Sequence, residues 1–171
     1  MKLDTTKCLA WAEERGLLGE KPKTDKQFQK LASECMEFLD EINKGNLEKA
    51  YLEFGDIIVT MVIYCEQKGA ELTDLKISDL KDVSGLSMIA KLGIMASEEA
   101  ISLFDINNIY HLFSMCQILA PQFNPQKALD LAVEKISSRK TTLVNGTAVK
   151  EGDLSAEDKA AAERKQFGNL S

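Results

Sequence analysis

Two stretches of helical apolar periodicity meet at one short turn, Lys44-Gly45-Asn46, and that junction restricts the chain to helices packed as antiparallel hairpins. Before the turn, Leu31, Cys35, Phe38, Leu39 and Ile42 recur at helical spacing, which predicts an amphipathic helix from Thr24 to Asn43. Thr24 is read as its N-cap, with Gln27 three residues on completing a capping box. After the turn a second helix is expected from Leu47 to Lys68, stopped by Gly69. Its run Ile57 to Cys65 is strongly apolar, so this segment of the helix is expected to be buried on most sides. That run is also far too short to cross a bilayer.

Helical patterns continue on both sides. A first helix is expected over residues 4–15, with Asp4 or Thr5 at its start and Gly16 at its end. Residues 71–84 read as a short helical connector. Further helices are predicted over Ser87–Leu103, Ile106–Leu119 and Pro125–Arg139, the last opened by Asn124 at the N-cap and Pro125 at N1. The pattern then switches. Thr142 to Val149 places β-branched residues around Asn145-Gly146, the strongest short-range signal for a two-residue hairpin. The stretch Ser155–Lys165 is rich in Ala, Glu, Asp and Lys and reads as a short exposed helix or a frayed end. The fold class is therefore all-α, packed helical hairpins with a small C-terminal β-hairpin or arm. Residues 1–154 form the domain and 155–171 a charged tail.

The formal charge of −6 argues against generic nucleic-acid binding, so a phosphate ligand must be met locally. The cysteines Cys8, Cys35, Cys65 and Cys116 are dispersed among apolar neighbours and form no CxxC pair. Buried, reduced thiols fit that pattern better than zinc or redox chemistry. The segment Met1–Thr6 lacks the apolar core of a signal peptide, and with reduced thiols this predicts a cytoplasmic protein.

Against that background four carboxylates stand out. Glu34 and Glu37 lie on the helix before the turn, Glu53 and Asp56 on the helix after it, each pair spaced i, i+3 and so nearly on one face. A hairpin brings the pairs together, and like charges held that close call for a compensating cation. Oxygen ligands without histidine or thiolate favour Mg²⁺, or Mn²⁺. The competing readings are a solvated face for Glu34 and Glu37, and a salt bridge to Lys30 or Lys49 for Asp56. No G-x-x-x-x-G-K-[ST] loop is present, which excludes a P-loop enzyme.

These residues resemble the motif of the all-α nucleoside triphosphate pyrophosphohydrolases, the MazG-like group with its dimeric dUTPase relatives. The matching stretches are Ser33-Glu34-Cys35-Met36-Glu37 and Glu53-Phe54-Gly55-Asp56. Flanks similar to the short phage-type branch are Trp11–Leu17, Gln27 and Lys30-Leu31 upstream, with Ile136–Lys140, Val144–Gly146 and Val149–Glu151 downstream. The resemblance covers about residues 8–70 and 126–153, leaving 71–125 as additional helices. It implies Mg²⁺-dependent hydrolysis between the α and β phosphates of a nucleoside or deoxynucleoside triphosphate, releasing a monophosphate and pyrophosphate. It makes Glu34, Glu37, Glu53 and Asp56 the metal ligands, one glutamate also activating the water. It further implies a bacterial or phage-infected host cytoplasm. Ser33 stands where the family usually has a first Glu, and Glu134 where relatives often have Asn near the substrate. The alternatives are a dUTPase-like or phosphoribosyl-ATP pyrophosphohydrolase on the same scaffold, and a catalytically silent nucleotide- or protein-binding module.

Several other residues take expected places. Arg139, Lys140 and Lys150 surround the hairpin and either fold over the triphosphate or form an ordinary basic patch. Gln27 and Lys30 precede Glu34 on its helix and either reach the nucleotide or stay solvated. Trp11 is read as packing rather than base stacking, and His111 as structural. Neither a membrane nor a stable nucleic-acid partner is expected. One hairpin pair cannot bury both its faces, so a homo-oligomer is, a dimer or a dimer of dimers. A 52-residue shift lays Glu53-Phe54-Gly55-Asp56-Ile57 on Asp105–Ile109, which suggests a degenerate internal duplication. Two unrelated hairpins of similar period explain the match as well.

Overall fold

A computed structural model describes residues 2–19, 22–72, 80, 83–138, 141–144 and 147–150. Among them are six helices, packed together: α1 (Thr6–Glu14), α2 (Thr24–Asn43), α3 (Leu47–Gln67), α4 (Gly85–Ala100), α5 (Ile106–Leu119) and α6 (Pro125–Ser137). The protein is all-α, as the periodicity requires. None of these helices is long and apolar enough to cross a membrane. Strands Thr141–Val144 and Thr147–Lys150 pair antiparallel, Val144 opposite Thr147. The connector within 73–79 and 81–82, Arg139, Lys140, the turn Asn145-Gly146 and the tail from 151 lie outside the described residues, as do the side chains of the two strands.

The α2–α3 hairpin is the framework. Gly45 takes φ 71°, a left-handed conformation that costs a residue without Cβ little, and the Asn46 N–H returns to the Glu41 carbonyl at 2.9 Å. Asn46 then caps α3 by accepting from the Lys49 N–H at 3.4 Å. From α2, Phe28, Leu31, Cys35, Phe38 and Leu39 are buried; α3 is buried from Ile57 through Cys65. Phe54 is the aromatic hub, 6.2 Å from Phe38, 6.0 Å from Phe113 of α5 and 5.9 Å from Phe123. Trp11 is buried in the core, and all four cysteines are free and buried. Burial pushes the Cys8 and Cys65 thiols up to about 12, far from the thiolate a reactive cysteine needs.

The starts of α2 and α4 depart from the capping that the sequence suggests. Thr24 is not an N-cap with Gln27 as its box partner. It is the first residue of α2, and its hydroxyl donates to Glu99 Oε1 at 2.7 Å, an ionised acceptor that outcompetes a neutral backbone bond. Glu99 also takes the Tyr64 hydroxyl and pairs with Lys68 at 2.7 Å, so its carboxylate ties α4 to the α2–α3 hairpin. Lys68 and the other two donors hold its carboxyl below the ordinary range, against the opposing effect of burial. Helix α4 begins at Gly85 rather than Ser87, because Ser84 and Ser87 form a reciprocal capping box, and it ends at Ala100 rather than Leu103.

Helix α6 approaches α3 at Gly55. A Cβ there would lie 2.5 Å from the Ala128 carbonyl oxygen and 3.0 Å from the Ala132 Cβ. The glycine is what lets the two backbones close. That contact sets where the end of α6 falls relative to the acidic face of the hairpin.

Candidate metal centre

One carboxylate oxygen from each of Glu34, Glu37 and Glu53 lies within 4.8 Å of the others. The i, i+3 spacing on α2 supplies two of them and the antiparallel return of α3 supplies the third. Glu34 is buried, Glu53 half-buried and Glu37 exposed, so the cluster opens to solvent along one edge. Asp56 is one turn along α3 from Glu53 but stands outside this close group. Its Oδ2 accepts from Lys135 of α6 at 2.8 Å.

The cluster carries the electrostatic signature of crowded acids. Burial raises the Glu34 carboxyl above its ordinary range, with Asp56 and Glu37 adding to the rise and Lys30 opposing it. Burial likewise raises Glu53, with Asp56 and Glu34 adding to it. Burial pulls Lys30 down, but the charge and hydrogen bond of Glu34, with the charges of Glu37 and Asp56, together outweigh it and hold the ammonium above its ordinary range. Lys30 and Glu34 form an i, i+4 ion pair. Glu37 accepts from Ser33 Oγ at 3.2 Å. Two ammonium groups among four carboxylates leave two formal negative charges, the charge of a single divalent cation. The donors are all oxygen, no histidine or cysteine stands among the three clustered residues, and the set fits a hard ion such as Mg²⁺ or Mn²⁺.

The other expected site residues divide. Lys30 is at the cluster. Gln27 is buried on the neighbouring turn and its Nε2 donates to the Thr60 carbonyl at 3.3 Å, bridging α2 to α3 inside the protein. The salt bridge weighed between Asp56 and Lys30 or Lys49 is replaced by Lys135. Lys30 is taken by Glu34, and Lys49 sits about two turns back along α3, some 10 Å away by helical rise. Lys135 went unrecognised in the sequence. It follows Glu134, which is exposed, and no spacing rule links residue 135 to 56. Only the α3–α6 crossing at Gly55 does so. At the 52-residue shift from Asp56 stands Asn108, which accepts from Lys91 and donates to Glu98. That position in the second hairpin thus holds an amide bridging one cation and one carboxylate.

No protein-family model matches the chain, and no curated protein or solved structure is significantly similar to it.

The raised carboxyls make a pH-dependent expectation. A carboxyl whose folded pKa exceeds its unfolded value, about 4.3 for Glu, adds stability below that value and loses it as pH rises through the folded one. Glu34 and Glu53 therefore weaken the metal-free fold at neutral pH, where both must ionise. A divalent ion bound at the cluster would restore the loss there and would compete with protons in acid. Mn²⁺ at about 100 times its Kd should raise Tm by roughly 5–10 °C at neutral pH. The rise should shrink as the buffer is taken down towards the ordinary carboxyl pKa. An equal rise at both pH values, or none, removes the metal site.

Proposed function

We infer that the protein hydrolyses nucleoside or deoxynucleoside triphosphates between the α and β phosphates with Mg²⁺, releasing a nucleoside monophosphate and pyrophosphate. The observation that carries this reading is the convergence of Glu34, Glu37 and Glu53 from two antiparallel helices to within 4.8 Å, at the motif positions the sequence shares with the MazG-like enzymes. Glu34, Glu37, Glu53 and Asp56 hold the metal. When bound, Mg²⁺ supplies the positive charge that draws in the polyphosphate and stabilises the departing pyrophosphate. A glutamate of the cluster accepts the proton of the attacking water. Among the described residues, Lys135 and Lys30 each pair with one of the four carboxylates, and their remaining N–H donors would serve phosphate oxygens. Arg139, Lys140 and Lys150 follow α6 in the sequence and are proposed to neutralise the triphosphate. The protein works as a homo-oligomer.

A second reading has its own observation. Glu34 and Asp56 already have lysine partners, so the cluster also suits a structural ion-pair network in a catalytically silent, nucleotide-binding protein. Pyrophosphate release, measured with Mg²⁺ across the common and modified ribo- and deoxyribonucleoside triphosphates and phosphoribosyl-ATP, separates the two. Turnover of at least one substrate that disappears with chelator supports the enzyme. Binding without turnover across the panel supports the silent protein.

A further inference from the structure

Helix α4 is built inside out. Its three charged residues all turn inward: Lys91 and Glu98 to Asn108 of α5, Glu99 to Lys68, Tyr64 and Thr24. Its exposed face carries no charge. Along the middle run Leu86, Ala90, Gly93, Ser97 and Ala100, all exposed and spaced four, three, four and three residues apart. That is the a/d spacing of a helix-pairing seam, here made mostly of residues small enough for axes to approach to about 8 Å. Ile89 and Ile94 flank the seam, 43% and 54% exposed, and Leu86 is 76% exposed. With Ile101 and Leu103 beyond the helix end, the strip reaches on the order of 500 Å² of apolar surface, near the top of what monomers leave uncovered.

We propose that this face binds the α4 of a second copy of the chain, antiparallel, with Gly93 at the two-fold axis. A symmetric interface must be self-complementary, each residue i meeting j while j meets i. The face has both halves of such a match. At one end Ile101 projects 67% exposed. At the other a cleft of about 410 Å³ opens beside Gly85, its apolar side formed by Met36, Leu39, Leu86 and Ile89 and its polar side by Asp40 and Asn43. Ile101 lies eight residues after Gly93 and Gly85 eight before it, so an antiparallel pair centred on Gly93 seats each Ile101 over its partner's cleft. Leu86 then opposes Ala100, large against small; a parallel pair sets Leu86 on Leu86 and leaves a gap at Ala100. Charge favours a second copy over other occupants. A chain of formal charge −6 approaches itself best through a seam without charge; the exposed seam of α4 has none, no lysine or arginine on it attracts an anionic membrane, and Asp40 at the cleft is paired with Lys44.

Light scattering on the full chain should give twice 19.0 kDa, or an even multiple of it. Gly93→Glu should halve that mass with the helical circular dichroism unchanged, since a Cβ at Gly93 meets nothing within 4 Å. Should that variant unfold, Ile101→Glu makes the same test at an exposed position outside the helix. Under mild oxidation Leu86→Cys/Ala100→Cys should cross-link into dimers while Leu86→Cys alone should not; the four native thiols are buried. A monomeric wild type overturns the proposal, as does a mass unaffected by either charge variant. Cross-linking by Leu86→Cys alone overturns the antiparallel register. Two results assign the face elsewhere and equally overturn the proposal: a monomer that dimerises once residues 155–171 are deleted, and sedimentation with phosphatidylserine vesicles.

Discussion

Replacing Glu53 by Gln should lower Mg²⁺-dependent pyrophosphate release by about a thousand-fold or more. A fall of that size corresponds to ~4 kcal/mol of barrier, the scale expected when a metal loses a charged ligand. The substitution keeps the shape of the side chain and removes one of three crowded carboxylates. Glu53 is half-buried, and its carboxyl is raised by burial, then by Asp56 and Glu34, so the fold should lose nothing. Thermal denaturation without metal should show an equal or higher Tm. The Mn²⁺-induced rise in Tm should collapse in parallel with activity, which separates loss of the ion from damage elsewhere. Full activity in Glu53→Gln would place the chemistry outside this cluster.

The largest expected loss of stability comes from a methyl group. Gly55→Ala improves the helical propensity of α3 by about 1 kcal/mol, so on an exposed helix it would stabilise. Here the added Cβ falls 2.5 Å from the Ala128 carbonyl oxygen, which is backbone and has no rotamer to change. Forcing α6 away should cost about 3 kcal/mol, leaving a net loss of ~2 kcal/mol and a Tm lower by roughly 4–8 °C. Because α6 carries Lys135 to Asp56, activity should fall as well, though less than in Glu53→Gln. Urea denaturation with an unchanged m-value measures the loss. A more stable Gly55→Ala would mean that α6 does not close on α3 at this glycine.

The two substitutions mark where reading the sequence succeeds and where it stops. The convergence of Glu34, Glu37 and Glu53 was legible because helical spacing and a short turn are local properties, whereas Asp56, expected beside them, stands outside the close group and pairs with Lys135. Lys135 was not legible, since it lies 79 residues from Asp56 and reaches it only across a helix crossing. Nor was Thr24. Its sequence reads as a cap, but its hydroxyl goes to Glu99, 75 residues away. Gln27 looked solvated or ligand-facing for the same reason; which side of an amphipathic helix counts as inside depends on what packs against it.

Periodicity and caps alone determined that the chain is all-α, where its hairpin turns, and that Glu34, Glu37 and Glu53 converge across that turn. Those features depend on residues within a few positions of one another, and the backbone geometry of a helix is known in advance. Tertiary packing decided which lysine answers which carboxylate, that Gly55 is a contact and not a weak point, and that α4 turns its charges inward. Such pairings follow from close approach between segments remote in sequence, where a difference of one methyl group sets whether two backbones can touch.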